Sequence, residues 1–191
     1  MRALICVDAQ NDFMPNGALP VTEGDKIVSI INGIRDKFDV VVFTQDWHPT
    51  GHCSFVEQGG PWPIHCVASS LGARLHKDLI VKDGAADLDM FLYKGTNVDV
   101  DSYSGFWDNE RKTNTGLADR LRDRNVDEVY ICGLATDYCV KFTALDAVDA
   151  KIKTTLILDA CRGVNVNPGD VDKAIDEMRA AGITIINSDK V

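Results

Sequence analysis

The sequence has no cluster of lysine and arginine residues and no long apolar run. It carries 20 basic against 29 acidic residues, which gives a formal net charge of -9. An acidic chain without a basic patch does not attract nucleic acid or an anionic membrane surface. No apolar run approaches the roughly 20 residues that a membrane-spanning helix needs. We therefore expect neither nucleic acid nor a membrane as the partner.

The CxxC spacing of structural zinc sites is also absent, although the chain has six cysteines. We therefore do not expect a cysteine-rich zinc site. The apolar run Ala3–Val7 at the N-terminus is too short for the core of a secretory signal. At 191 residues the chain is long for a scaffold held together by disulfides. These features favour free thiols in a reducing cytoplasm.

Short apolar runs alternate with segments of helical periodicity. The predicted strands are Ala3–Val7, Val40–Thr44, Met90–Tyr93, Glu128–Cys132, Thr154–Leu158 and Ile183–Ile186. The predicted helices lie around Gly24–Lys37, Asn114–Arg124, Asp137–Ala150 and Asp170–Ala181. This alternation predicts an α/β fold: a single-domain, doubly wound parallel sheet of about six strands with helices on both faces. The length favours one domain, residues 1–191.

An irregular excursion at about residues 46–89 interrupts this alternation, and such a stretch inside a compact domain is usually functional. Asp46, His48 and His65 offer one carboxylate and two imidazoles, which suit Zn²⁺, Fe²⁺ or Mn²⁺. His52 is a further candidate ligand and Glu57 a more remote one. The alternative is a polar surface loop without a metal.

Four polar residues stand where predicted strands end. Asp8 ends the first strand, Asp46 follows the second, Lys94 ends the third, and Cys139 comes one turn after the fourth. Open α/β sheets bind ligands at this edge, so we expect the four side chains to lie together. Cys139 is the candidate nucleophile, Asp8 the base, and Lys94 the cation that favours thiolate.

The position of Cys139 in the first turn of a predicted helix adds to this interpretation. The positive end of a helix lowers the pKa of a thiol, and backbone N–H groups of the turn can stabilise an oxyanion. The alternative is a buried cysteine that packs as a small apolar side chain. Nearby aromatic side chains could enclose a flat aromatic substrate or simply pack as loop residues: Phe13, Trp62, Tyr103 and Phe106.

Together, these motifs resemble the nicotinamidase/pyrazinamidase branch of the isochorismatase-like hydrolases. The resemblance covers nearly the whole chain and rests on six segments: Val7–Phe13, Thr44–Pro49, Trp62–Cys66, Tyr93–Gly95, Asp101–Phe106 and Gly133–Val140. It implies a metal-dependent amidase that converts nicotinamide to nicotinate and ammonia in NAD salvage. It also implies activity on pyrazinamide, with these small molecules as the partners.

The resemblance further implies roles for individual residues. Asp8, Lys94 and Cys139 are the expected catalytic triad, which forms a thioester at Cys139. The N–H groups of Ala135 and Cys139 are the expected oxyanion hole, and the Leu134–Ala135 peptide bond matches one that is cis in the family. One divalent ion is expected, zinc first and iron or manganese as alternatives, with the ligands Asp46, His48, His65 and, as in some members, His52. The expected substrate pocket consists of Phe13, Trp62, Tyr103 and Ala135.

Three rival functions remain open. An amidase for carbamoyl or ureido substrates would share the triad but typically lacks the metal motif. An isochorismatase-type vinyl-ether hydrolase typically lacks the nucleophilic cysteine. A metal-binding or thiol-sensing protein without catalysis would not need the triad. The sequence also leaves the oligomeric state open, a homo-oligomer included.

Overall fold

The computed structural model describes residues 1–84 and 87–191, with only the backbone for residues 83, 84, 87 and 88. The strands are β1 (Arg2–Val7), β2 (Val40–Asp46), β3 (Asp83–Gly84), β4 (Asp87–Leu88), β5 (Met90–Lys94), β6 (Glu128–Leu134), β7 (Lys153–Arg162) and β8 (Thr184–Ile186). The α-helices are α1 (Ile27–Ile34), α2 (Leu117–Asp123), α3 (Lys141–Asp149) and α4 (Asp170–Ala180). Short 3-10 turns extend α1 at both ends, at Gly24–Lys26 and Arg35–Lys37.

Six strands form one parallel sheet in the order β5-β2-β1-β6-β7-β8. The chain starts in the centre at β1, builds outward through β2 and β5, and then returns to build the other half from β6. This is the doubly wound arrangement, and its switch point lies between β1 and β6. The predicted fold class is therefore confirmed.

The central strands are buried on both sides, which is why their sequences are nearly continuous apolar runs. Every residue of β2 is buried, and so is every residue of β1 after Arg2. Connections leave the switch point in opposite directions, and right-handed crossovers then place α1 on one face and α3 and α4 on the other. Helices α3 and α4 pack against each other. Gly182, at φ +86°, follows the last helix in the left-handed conformation of a C-cap.

Several boundaries differ from the predictions. Helix α2 begins at Leu117 rather than Asn114, since Asn114 to Gly116 form a turn in which the Asn114 side chain accepts the Gly116 N–H. The segment Thr136–Val140 is a π-helical turn, and only then does α3 begin. Strand β7 extends to Arg162, well beyond the predicted end.

The predicted excursion at about residues 46–89 is tied to β5 at its start, where the Trp47 N–H donates to the Lys94 carbonyl at 2.9 Å. It contains a 3-10 turn at Val56–Gln58 and the antiparallel hairpin β3–β4, and residues 85 and 86 lie outside the described part of the chain. Isolated bridges join His48 to Val67 and Phe55 to Trp62. No helix among the described residues is long and apolar enough to cross a bilayer.

Candidate active site

The switch point of the sheet brings the predicted catalytic residues together. Asp8 follows β1 directly, and Cys139 lies in the π-helical turn that follows β6. Lys94 and Asp46 are the last residues of β5 and β2, and they are paired in register. The carboxyl ends of four strands therefore supply these four side chains, as the sequence predicted.

Lys94 is the centre of the group. Its ammonium nitrogen lies 2.9 Å from Asp8 Oδ2 and 3.4 Å from Cys139 Sγ, and it also donates to Asp46 Oδ1. The Ser102 carbonyl accepts a further hydrogen bond at 2.9 Å. The Lys94 side chain is fully buried, so these contacts replace its hydration shell. One cation thus holds two carboxylates and the thiol around a single point.

A neighbouring hydroxyl fixes the orientation of the Asp8 carboxylate. Thr44 Oγ1 donates to Asp8 Oδ1 at 2.7 Å, which leaves Oδ2 facing Lys94. Asp8 adopts φ +47°, a left-handed conformation that is uncommon for residues other than glycine. Burial raises the pKa of the Asp8 carboxyl, and the Lys94 ammonium opposes this only in part. A carboxyl with a raised pKa both accepts and returns protons more readily near neutral pH.

The predicted lowering of the Cys139 pKa is wrong for the substrate-free protein. Burial raises the pKa of this thiol well above its usual range, the Lys94 ammonium lowers it only in part, and the Asp8 carboxylate raises it further. Sequence reasoning considered the helix end and not the loss of solvent around the sulfur. Cys139 is therefore a protonated thiol that needs a base, and Asp8 stands next to it.

This protonation state predicts the order in which the six thiols react with an alkylating reagent. Cys53 is the only one of the six that is not buried. We expect it to be labelled before Cys139 when the substrate-free protein meets iodoacetamide near neutral pH. Peptide mass spectrometry over a time course gives the order directly. If Cys139 were labelled first, the thiolate expected from the sequence would be present after all.

Asp46, His48 and His65 form a buried group that could hold a metal ion. Their nearest ligand atoms all lie within 4.8 Å of one another. Asp46 Oδ2 is 3.5 Å from His48 Nε2 and 3.9 Å from His65 Nε2. The Nδ1 atoms point elsewhere, at 2.9 Å from the Gly95 carbonyl for His48 and 2.8 Å from the Pro63 carbonyl for His65.

These hydrogen bonds test whether the group fits a metal. A carbonyl that accepts a hydrogen bond from Nδ1 requires the proton on that nitrogen. In the neutral ring Nε2 is then unprotonated, and it faces the Asp46 carboxylate. Burial raises the pKa of a lone carboxyl, but Lys94 and then His48 outweigh this and hold the pKa of Asp46 well below its usual range. Burial lowers the pKa of His65, which favours the neutral ring. Burial also opposes the charged form of His48, but the Asp46 carboxylate outweighs it and raises the pKa of His48. Zn²⁺ binds an ionised carboxylate and neutral imidazoles, so the residues fit the ion, and binding would release the proton that His48 carries.

His52 does not join this group. Its ring stacks on that of His48 with centroids 4.1 Å apart, and its Nδ1 lies 2.8 Å from Ser54 Oγ. It clusters instead with His48 and Asp101. The short spacing from His48 to His52 holds the two rings face to face, so the second ring lies behind the first. Glu57, the more remote candidate, is exposed in its 3-10 turn.

An aromatic cavity adjoins both groups. Its wall contains all the predicted substrate-pocket residues, the thiol and two of the predicted metal ligands: Phe13, Trp62, Tyr103, Ala135, Cys139, Asp46 and His65. Trp62 Nε1 donates to Tyr103 Oη at 3.2 Å, and burial raises the pKa of Tyr103 to about 12. The cavity volume is about 30 Å³.

Sequence reasoning missed four residues of this wall: Leu19, Asp101, Tyr138 and Val164. Tyr138 packs edge-on against Trp62 at 4.9 Å and lies 5.5 Å from Tyr103. Its position next to Cys139 was a usable signal. Leu19 and Val164 lie in loops without periodicity, so nothing in the sequence marked them.

The Leu134–Ala135 peptide bond is cis, as the resemblance implies. Phe106 is buried in the core, which matches the packing alternative.

A thiol, an ammonium and a carboxylate in contact at the switch point of a doubly wound sheet are the features of a cysteine-dependent hydrolase. Comparisons with known proteins agree. The Isochorismatase domain model matches residues 2–190, and the chain belongs to that family. It is 47% identical to the nicotinamidase of Escherichia coli (strain K12), over 96% of this chain and 93% of that protein.

Two solved structures are also similar. The pyrazinamidase of Pyrococcus horikoshii in complex with zinc has a TM-score of 0.87 and 44% identity, and the match covers 97% of this chain and 98% of that one. PnC1 from L. infantum in complex with nicotinate has a TM-score of 0.92 and 37% identity, and the match covers 99% of this chain and 93% of that one.

Proposed function

We propose that this protein is a metal-dependent nicotinamidase of NAD salvage, which hydrolyses nicotinamide to nicotinate and ammonia and also accepts pyrazinamide. The observation that carries the proposal is one small aromatic cavity whose wall contains both Cys139 and the Asp46–His65 edge of the metal group. A substrate with a flat ring and a carboxamide needs both features at opposite ends. The similar proteins named above act on or bind such compounds.

The first half of the reaction acylates Cys139. Asp8 takes the proton from the thiol, and the sulfur attacks the carboxamide carbon to form a C–S bond. The C=O electron pair moves to the oxygen, where the N–H groups of Ala135 and Cys139 would stabilise it. The tetrahedral centre then collapses, the C–N bond breaks, and Asp8 returns its proton to the departing ammonia.

The second half releases the acid. Water gives a proton to Asp8 and attacks the thioester carbon, and the sulfur leaves as thiolate when the C–S bond breaks. Asp8 then reprotonates Cys139, and nicotinate departs. Throughout, Lys94 balances the charge that alternates between Asp8 and Cys139, from 2.9 Å and 3.4 Å respectively. A buried ammonium in contact with both is suited to this role.

Metal ligands and aromatic residues would together orient the substrate. Asp46, His48 and His65 would hold one divalent ion, with zinc as the first choice, and the ion would supply a Lewis acid for the ring nitrogen. His52 would support His48 from behind rather than bind the same ion. Phe13, Trp62, Tyr103 and Ala135 would enclose the ring, and closing the wall around it excludes water from the thiol.

We also propose that residues 1–191 act as one domain, with the excursion at about residues 46–89 as its metal-binding part. All six cysteines are free, which suits the reducing cytoplasm.

The function is tested by product analysis. Purified protein, with thiols reduced and Zn²⁺ supplied, is given nicotinamide, pyrazinamide or an N-carbamoyl amine, and ammonia and the acid are measured. We expect nicotinate and pyrazinoate, with little release from the carbamoyl compound. Turnover of the carbamoyl compound with none of nicotinamide would replace this function with that of the rival amidase.

His48→Ala tests the metal site. We expect metal content below a tenth of that of wild type after dialysis and a KM for nicotinamide raised at least about tenfold, because one of three ligands is lost. Metal analysis and steady-state kinetics measure both. His76→Ala is the matched control, since His76 pairs with Asp78 and is not among the proposed ligands. Full metal content in His48→Ala would remove His48 from the site.

A further inference from the structure

The segment immediately after β1 holds the proposed metal group in place through two side chains. Gln10 and Asp12 lie two and four residues beyond Asp8, and each contacts the backbone beside a proposed metal ligand. We propose that Gln10 and Asp12 are positioning residues for the metal site, and that they set its affinity without touching the ion. This inference rests on the proposed metal site.

Gln10 continues the sheet where β1 has ended. β1 pairs with β2 up to the register of Cys6 with Phe43, after which Asp8 turns away at φ +47°. The main-chain N–H and C=O of Asp46 on that side would lack a strand partner. Gln10 Oε1 accepts the Asp46 N–H at 2.8 Å, and its Nε2 donates to the Asp46 carbonyl at 2.8 Å.

The second N–H of the Gln10 side chain donates to the Ala73 carbonyl at 2.8 Å, so the amide is fully used. Gln10 has no solvent exposure, and a loss of these bonds would leave buried main-chain groups unpaired. The Asp46 carboxylate extends from the same residue whose main chain is hydrogen-bonded to Gln10. Its direction toward His48 and His65 therefore depends on Gln10.

Asp12 acts on the two histidines through the backbone of one residue, Cys66. Its Oδ2 accepts the Cys66 N–H at 2.7 Å, directly after His65. The Cys66 carbonyl accepts the His48 N–H at 3.0 Å. Cys66 adopts φ +46°, an uncommon conformation that its surroundings must hold. Asp12 therefore fixes the turn that sets His65 and His48 relative to each other.

Gly72 leaves room for the half-buried Asp12 carboxylate. A Cβ added to Gly72 would come within 2.0 Å of Asp12 Oδ2, so the carboxylate fits there only because residue 72 is glycine. This close approach offers a way to displace the carboxylate without changing its chemistry. Gly72→Ala should therefore reproduce the defect of an Asp12 variant.

The test measures metal affinity directly. Zn²⁺ is titrated against a chromophoric chelator for wild type, Gln10→Met, Asp12→Ala, Asp12→Asn and Gly72→Ala, and the visible spectrum of each Co²⁺-loaded protein is recorded. The matched control is Asp159→Ala, because Asp159 also accepts two hydrogen bonds, at 2.8 Å and 2.6 Å from Ser188, and is not among the residues of the proposed metal site.

We expect Gln10→Met, Asp12→Ala and Gly72→Ala to weaken Zn²⁺ binding by about 10- to 100-fold and to change the Co²⁺ spectrum. Asp12→Asn should recover most of the affinity, because its amide oxygen can still accept the Cys66 N–H. Asp159→Ala should stay within about twofold of wild type. A merely structural role would lower the melting temperature of the metal-free variants and leave affinity and spectrum unchanged, which would overturn the inference. If wild type itself bound no metal, the metal site of the proposed function would fail instead.

Discussion

The Cys139→Ala protein should lose nicotinamide turnover by about 10⁴-fold or more while it keeps its fold and metal. The expectation follows from the proposed route, in which the sulfur makes the bond to the substrate carbon and alanine offers no replacement. The side chain is small, and Ala occupies the same space with one atom fewer. Steady-state ammonia release and metal analysis measure the two properties separately.

Cys53→Ala is the matched control for that experiment. It removes a thiol that is half-buried and outside the cavity wall, so turnover should stay near that of wild type. Substantial turnover by Cys139→Ala would contradict a covalent route at this residue. Loss of turnover together with loss of metal would instead indicate that the substitution disturbs the site as a whole.

Lys94→Met should reduce both activity and stability. The substitution keeps the length of the side chain but leaves the Asp8 and Asp46 carboxylates buried together, with ligand atoms within 4.8 Å and no cation between them. Loss of one partner from a buried ion pair costs about 3–5 kcal/mol of unfolding free energy. We expect kcat/KM to fall by about 10³-fold or more, since neither thiolate nor proton transfer is then supported.

The stability defect of Lys94→Met should depend on pH in a defined direction. In wild type the pKa of Asp46 is lowered on folding, so its contribution is fully present above the usual carboxyl pKa of about 4 and is lost only as pH falls below that value. In the variant, burial and mutual repulsion raise the pKa of the two carboxyls, and this penalty disappears as pH falls. The difference from wild type should therefore shrink between about pH 7 and pH 5.

Urea unfolding of the metal-free proteins at both pH values measures the difference. Lys153→Met serves as the control, because Lys153 is exposed and its pair with Glu128 should contribute little to stability at either pH. A Lys94→Met defect that grew toward low pH would contradict the assigned role of the cation.

The sequence predicted the fold because its strands are buried on both faces. Strands such as β1 and β2 then read as unbroken apolar runs, and polar residues at their ends mark the binding edge. Asp8, Lys94 and Cys139 could be placed together from that pattern alone. The link from these residues to nicotinamide came from the resemblance and not from the pattern.

Other features depend on three-dimensional surroundings that a linear pattern does not contain. The raised pKa of Cys139 results from burial and from the Asp8 carboxylate, which is distant from Cys139 in sequence. In the sequence Gln10 is an ordinary polar residue, and only the structure shows that its side chain pairs with the main chain of Asp46 where β1 ends. His52 is a candidate metal ligand by residue type alone, and only the structure shows that its ring stacks on that of His48.

The central claim is that nicotinamide is hydrolysed through a thioester at Cys139. The most direct test is rapid acid quenching of the metal-loaded protein with excess nicotinamide, followed by peptide mass spectrometry, with a parallel reaction that contains hydroxylamine. We predict a nicotinoyl group on the peptide that contains Cys139, and nicotinohydroxamate formed at the expense of nicotinate. Steady formation of nicotinate with neither the acylated peptide nor the hydroxamate would contradict the account.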